Sequence, residues 1–153
     1  MRSAEFWQLT IDCHDPARLV SFWAPVLGYD VRPAPGDFAT WNDYYISVGV
    51  PADELDLNDP TGGADRLIDP KGHGPAIWFQ PVPEGKSVKN RIHLDVYAMS
   101  REEPYAARKA ANAAWVEELV AAGATILKVL DEPEWGRYYI TLADPEGNEF
   151  CVG

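Results

Sequence analysis

The stretch "KNRIHLDVYA", residues 89–98, alternates polar or ionisable side chains with apolar ones. On a β-strand, Arg91, His93, Asp95 and Tyr97 would share one face and Ile92, Leu94 and Val96 the other, because successive side chains point to opposite sides. The apolar row belongs to a core. The other row either meets solvent or lines a site, and the rest of the chain decides between the two.

The segment C-terminal to this strand has a counterpart in the first half of the chain. Ser100 and Glu103 have capping-box spacing, Ala111, Trp115, Leu119 and Ala122 recur as a helical stripe, Gly123 ends the helix, and "ATILKVL" (124–130) is the next strand. Near the start, "FWQLTIDC" (6–13) alternates in the same way, with Trp7, Leu9, Ile11 and Cys13 on one side and Phe6, Gln8, Thr10 and Asp12 on the other. Asp15-Pro16 then provides an N-cap and a first-turn proline, and Leu19, Phe22, Trp23 and Val26 carry a helix that Gly28 closes before "YDVRP". Pro25 should bend that helix or shorten its last turn. Each half continues with two strand-like runs, "YYISVGV" (44–50) and "PAIWFQPV" (75–82) in the first, "RYYITLA" (137–143) and "NEFCVG" (148–153) in the second.

The predicted fold class is therefore α+β, with two β-α-β-β-β modules, about 4–83 and about 89–153, in a single domain spanning 1–153. Residues 51–74, dense in Pro, Gly and Asp, read as one long loop. A calcium loop starting at Asp56 fails because Pro60 and Thr61 occupy positions that need Asn or Asp and Gly.

The chain of 153 residues carries 24 acidic against 13 basic side chains, a net charge of −11, which repels nucleic acid and anionic lipid. No P-loop and no G-x-G-x-x-G occur, and no run of eighteen apolar residues or signal-like start is present. The expected partner is a small molecule, with no nucleic acid and no membrane; a homodimer is the candidate assembly, and the expected location is the cytoplasm. Two cysteines, Cys13 and Cys151, make no disulfide framework and lack zinc-site spacing. They fall on opposite strand faces, so they are expected not to pair.

If each strand's apolar row packs on the helices, the opposite rows are Gln8 and Thr10, Trp78 and Gln80, His93 and Asp95, Tyr139 and Thr141, and Glu149 and Cys151. A solvated sheet face is dominated by Lys, Arg and Glu. These rows hold Gln, Thr, Trp, His, Tyr and Cys instead, as a curved sheet around a partly polar cavity would. The candidate ligand-binding set is Gln8, Thr10, Trp78, Gln80, His93, Asp95, Tyr139, Glu149 and Cys151. His14 and His73 lie in turn or loop sequence and read as surface residues.

Three stretches, "DPARLVSFWAPVLGYDV" (15–31), "KNRIHLDV" (89–96) and "LADPEGNEFCV" (142–152), resemble the glyoxalase/bleomycin resistance/dioxygenase family, also called the vicinal oxygen chelate superfamily, and most closely its glyoxalase-like subgroup. The resemblance covers nearly the whole chain. It implies modules that each form a cupped sheet, together enclosing a central cleft with the helices outside, and a divalent metal held from the first and last strand of each module. Gln8 and His93 match two of the ligand positions, Gln80 stands nearest the third, and Cys151 occupies the fourth, where the family has Glu; Glu149 lies two residues earlier on the same face.

Amide oxygens and a thiol suit magnesium, manganese or iron(II) poorly, whereas zinc or nickel accepts His93, Cys151 and Glu149. For His93 the competing role is a cavity histidine bonded to Asp95 or to a ligand, and for Cys151 a small buried apolar residue. Gln8 and Gln80 are expected to hydrogen-bond a ligand or each other. A Cys151–His93 nucleophile lacks an evident oxyanion hole.

Two functions are consistent with the resemblance and the faces. One is a binding protein that holds a small, planar or aromatic molecule without a conventional metal quartet. The alternative is a metal-dependent lyase, isomerase or dioxygenase acting on vicinal oxygens, for which His93 is the best catalytic candidate.

Overall fold

The computed structural model describes residue 4 and residues 6–153, and the chain divides into two compact units, Met1–Gly85 and Lys86–Gly153. Each unit is built on a four-stranded sheet.

In the first unit, β1 (Gln8–Cys13) leads into α1 (Pro16–Leu27), then β2 (Asp30–Val31), a second helix α2 (Trp41–Ser47), β3 (Arg66–Ile68) and β4 (Ala76–Pro81). The sheet order is β1-β4-β3-β2, with β1 and β4 parallel and the other neighbours antiparallel. Helix α1 starts where local chemistry places it: the Asp15 carboxylate accepts the Arg18 N–H at 2.9 Å, and Pro16 occupies the first turn. It runs through Pro25 to Leu27 and stops at Gly28, whose φ of 63° is left-handed. Its buried face, Leu19, Val20, Phe22 and Trp23, packs over the sheet, whose own inner row is Cys13, Leu67, Ile77 and Phe79. Each large apolar side chain so buried contributes roughly 1.5–3 kcal/mol.

The second unit repeats the plan with β5 (Asp95–Val96), α3 (Tyr105–Ala121), β6 (Thr125–Glu132), β7 (Arg137–Ala143) and β8 (Glu149–Val152) in the order β5-β8-β7-β6. Here too the outer pair, β5 and β8, is parallel. The inner row is Val96, Tyr138, Ile140, Leu142, Phe150 and Val152, and α3 lies against β7. The α+β class thus stands as expected, and each unit supplies four strands and the helix after the first of them, with α2 added in the first unit.

Several expected elements differ. Residues 44–50, expected as a strand, belong largely to helix α2. Thr40 caps it with a reciprocal box: its hydroxyl oxygen accepts the Asp43 N–H at 3.0 Å while the Asp43 carboxylate accepts the Thr40 N–H at 3.1 Å. The missing strand is β3, inside the supposed loop 51–74, which also contains a one-turn 3-10 helix at Ala52–Glu54.

The Ser100–Glu103 capping box is a turn instead, with the Glu103 N–H donating to the Ser100 carbonyl at 3.2 Å, and α3 begins at Tyr105 after Pro104. The buried stripe of α3 is Asn112, Val116 and Leu119, so the helix is rotated about its axis from the expected Ala111–Trp115 face. The strand expected over 91–98 is reduced to Asp95–Val96, extended by the Cys151 and Gly153 N–H groups donating to the Leu94 and Val96 carbonyls at 2.9 and 3.0 Å. Ile92 is 73% exposed and belongs to no core, and Trp7 is likewise exposed ahead of β1. Cys13 is buried, Cys151 is half-buried, and both are thiols. Among the described residues no helix is long and apolar enough to cross a membrane.

Candidate functional site

The two units present their polar strand faces differently. In the first unit, Thr10 on β1 stands opposite Trp78 on β4, and Trp78 stands opposite Arg66 on β3, so three strands contribute one cross-strand row. Gln8 pairs in register with Ala76, and Gln80 with Asp12. Gln8 and Gln80 are therefore separated by about four strand positions, about 13 Å along the ladder. That is too far for the two amides to bond each other or to share one ion.

Trp78, expected among the ligand-binding residues, is already engaged. Its indole N–H donates to Asp65 Oδ2 at 2.8 Å, and the Arg66 guanidinium lies 5.0 Å from its ring centroid. Asp65 is buried and also accepts from the Tyr45 hydroxyl at 2.9 Å and from Arg66 Nη1 at 2.7 Å. Burial raises the Tyr45 phenol above its ordinary pKa, so it remains a donor. None of Trp41, Tyr45, Asp65 and Arg66 stood out in the sequence. A signal existed: "DPKGHG" (69–74) parallels "DPEGNE" (144–149), and aligning the two places a strand immediately before Asp69, which brings Asp65 and Arg66 beside β4.

Both of those turns work the same way. Asp69 accepts backbone N–H groups from Lys71, His73 and Gly74, each at 2.8 Å, and Asp144 accepts those of Glu146 and Asn148 at 3.0 and 2.9 Å. The D-P-x-G pattern is thus an Asx-type turn that aims the last strand of each unit. Among its consequences is the register of β8, which sets Cys151 opposite both Asp95 and Thr141.

In the second unit, that register assembles the densest group of potential ligands. His93 Nε2 is 3.4 Å from Asp95 Oδ1, and Cys151 Sγ is 3.6 Å from Thr141 Oγ1. One donor atom each from His93, Asp95 and Cys151 lies within 4.8 Å of the other two. The His93 and Asp95 side chains are 44% and 49% exposed, so the group opens to solvent.

Glu149, expected as a neighbour of Cys151 in metal binding, is committed elsewhere. Its Oε2 accepts the Asn90 N–H at 3.0 Å and Lys86 Nζ at 2.9 Å. The backbone donor at Asn90, followed by Lys86, holds its pKa down from 4.5 to about 2. Glu149 therefore fastens residues 86–90 to β8, and Asp95 supplies the carboxylate of the cluster in its place.

One step along the same face, Tyr139 and Tyr97 flank Gly153. A Cβ at position 153 would meet Tyr139 Cε1 at 2.6 Å and Tyr97 Cε1 at 3.2 Å, so only glycine lets both rings approach the strand. Arg101 ties them together, donating from Nη2 to the Tyr139 hydroxyl at 3.1 Å with its guanidinium 5.4 Å from the Tyr97 centroid.

The divalent metal expected from the family can be tested on these donors. An imidazole nitrogen, a carboxylate oxygen and a thiolate sulfur form a set of zinc or nickel character, with a fourth position left for a substrate. Donors around tetrahedral zinc stand roughly 3.5 Å apart, so the cluster fits such an ion after a small contraction. It fits hard, all-oxygen cations poorly.

The sequence profile of the family described as "Glyoxalase-like domain" matches residues 8–153. Among solved structures, the chain is similar to a glyoxalase/bleomycin resistance protein/dioxygenase family enzyme from Burkholderia phytofirmans PsJN, with a TM-score of 0.57 at 19% identity over 97% of each chain. A superfamily member from Sphaerobacter thermophilus DSM 20745 gives 0.51 at 16% identity, over 98% of this chain and 96% of that one. The genomically encoded fosfomycin resistance protein FosX from Listeria monocytogenes gives 0.52 at 11% identity, over 99% and 93%. No protein of curated function matches the sequence. Identities this low carry the fold alone, and the profile match carries the family: the chain belongs to the glyoxalase-like domain family.

Proposed function

We propose that this glyoxalase-like protein binds a small planar molecule, uncharged or cationic, on the polar face of its second unit. One observation carries the reading: Gly153 admits the Tyr97 and Tyr139 rings to a strand face that also bears Asp95, His93, Thr141 and Cys151. Rings beside a few hydrogen-bonding groups are the usual composition of a small-molecule site. With Trp78 committed to Asp65 and Arg66, and the Arg101 guanidinium over Tyr97, stacking falls to the Tyr139 ring, and a stacked pair adds roughly 0.5–1.5 kcal/mol beyond area burial. Asp95 provides the anionic end.

A second reading has its own observation, the convergence of His93, Asp95 and Cys151. These residues would hold a zinc- or nickel-class ion, which when bound would polarise substrate oxygens for lyase or isomerase chemistry, while dioxygenase chemistry would need a redox-active ion in place of zinc.

A library of planar compounds, screened by thermal shift and tryptophan fluorescence with and without EDTA, separates the two. Hits are expected to survive EDTA and to weaken about tenfold on Tyr139→Ala, a loss near 1.4 kcal/mol. Hits that vanish with EDTA and ignore that substitution, together with one equivalent of zinc or nickel lost on His93→Ala, overturn the metal-free reading in favour of the metalloenzyme.

A further inference from the structure

The first unit holds a group that the proposed ligand face does not use. Arg66 is immobilised on every side the structure describes. Its guanidinium carbon lies 4.5 Å from the Trp41 ring centroid and 5.0 Å from that of Trp78, and its Nη1 donates to Asp65 at 2.7 Å and to the Tyr45 hydroxyl at 3.0 Å. The rings are themselves pinned, Trp41 by its indole N–H donating to the Arg32 carbonyl at 2.8 Å and Trp78 by its bond to Asp65. An arginine offers five N–H donors in a planar fork. Nη1 is spent on Asp65 and Tyr45, and among the described residues none accepts from Nε or Nη2. The side chain is nonetheless 20% exposed. Two indole rings and the buried carboxylate already meet the cation, and Nε and Nη2 remain.

We propose that the Nε–Nη2 edge of Arg66 is a binding site for an oxyanion, a carboxylate or phosphate group of a small molecule gripped by two parallel N–H donors. That edge matches the spacing of two oxygens on one carbon or phosphorus. The contacts that fix it have already removed most of the side chain's freedom, so binding forfeits little further entropy. Trp78's seat for a cation is taken by Arg66, which makes this face selective for anions even though the chain as a whole is acidic. The site lies wholly in the first unit and stands or falls independently of the ligand face of the second.

The test is a titration of the nitrogen-15-labelled full chain with sodium benzoate and, separately, inorganic phosphate, with sodium chloride at matched ionic strength as the control. The Arg66 Nε–H resonance, assigned by through-bond correlation, is expected to move downfield and saturate, with smaller shifts at the Trp41 and Trp78 indole N–H signals. Arg66→Lys keeps the charge beside Asp65 but loses the fork, and should weaken binding at least about tenfold while the Trp78 indole signal stays put. Tighter binding of benzoate assigns the site to carboxylates, and tighter binding of phosphate to phosphate esters. A Nε–H that moves no further with either anion than with chloride overturns the proposal and leaves Arg66 as the counter-charge of Asp65. If the lysine variant does not fold, the wild-type titration decides alone.

Discussion

Glu149 shows how the face of a side chain can be legible in the sequence while its partners are not. It lies on the polar row beside Cys151, yet its carboxylate is turned to the Asn90 N–H and Lys86, which depress its pKa to about 2. A depressed pKa means that the folded chain binds fewer protons than the unfolded chain between pH 4.5 and about 2. The stability this residue contributes is therefore complete above pH 4.5 and is lost as pH falls through that window. Asp69 and Asp131 are depressed as well, the first by backbone donors and the second by Lys109 and Tyr105, so the wild type alone cannot isolate Glu149. Urea unfolding of wild type and Glu149→Gln from about pH 7 down to about pH 2 should show a gap at neutral pH that closes by about pH 2. A gap of constant size assigns the residue a role other than binding Lys86 and Asn90 as a carboxylate.

At the scale of the element, α3 contains the least expected arrangement. Asn112 is fully buried beneath the helix, and among the described residues neither its Nδ2 nor its Oδ1 has a hydrogen-bond partner. An amide buried without partners costs about 1–3 kcal/mol, and Asn is also a weaker helix former than Leu. Asn112→Leu, close in size, is expected to raise stability by about 2 kcal/mol in denaturant titrations. A destabilised variant would indicate that the amide has a partner in solution. Helix α2 carries the complementary lesson. Its aromatic and β-branched residues, Tyr44, Tyr45 and Ile46, favour a strand by propensity, but the Thr40–Asp43 capping box and the spacing of Trp41, Tyr44 and Tyr45 along one helical side prevail.

For the whole molecule, charge is the dominant long-range quantity. A net charge of −11 on 153 residues means self-repulsion that salt screens, and the screening length shrinks from about 30 Å at 0.01 M to about 8 Å at 0.15 M ionic strength. Ion pairs such as Lys109–Asp131 and Arg137–Glu132 are partly exposed and weaken in salt, but exposed pairs contribute little. The thermal midpoint is expected to rise by a few degrees as sodium chloride goes from about 0.01 to about 0.15 M. A midpoint that falls would show ion pairs outweighing the repulsion.

Alternation and caps are local, and what they encode was legible without coordinates. The two-faced rows of β1, β4, β7 and β8, the Asp15 cap, and the glycines that end the first and third helices all depend on side chains a few residues apart. The doubled β-α-β-β-β plan came from the same signals used twice. Pairing between distant strands decided the rest. Three residues, Arg66–Ile68, become β3 only because β2 and β4 accept them as a neighbour, and that placement sets Arg66 against Trp78. Asp95 joins His93 and Cys151 because β5 and β8 run parallel in a register that no local pattern in either segment encodes. A strand's sequence states which side chains share a face; only its partner strand determines which of them meet.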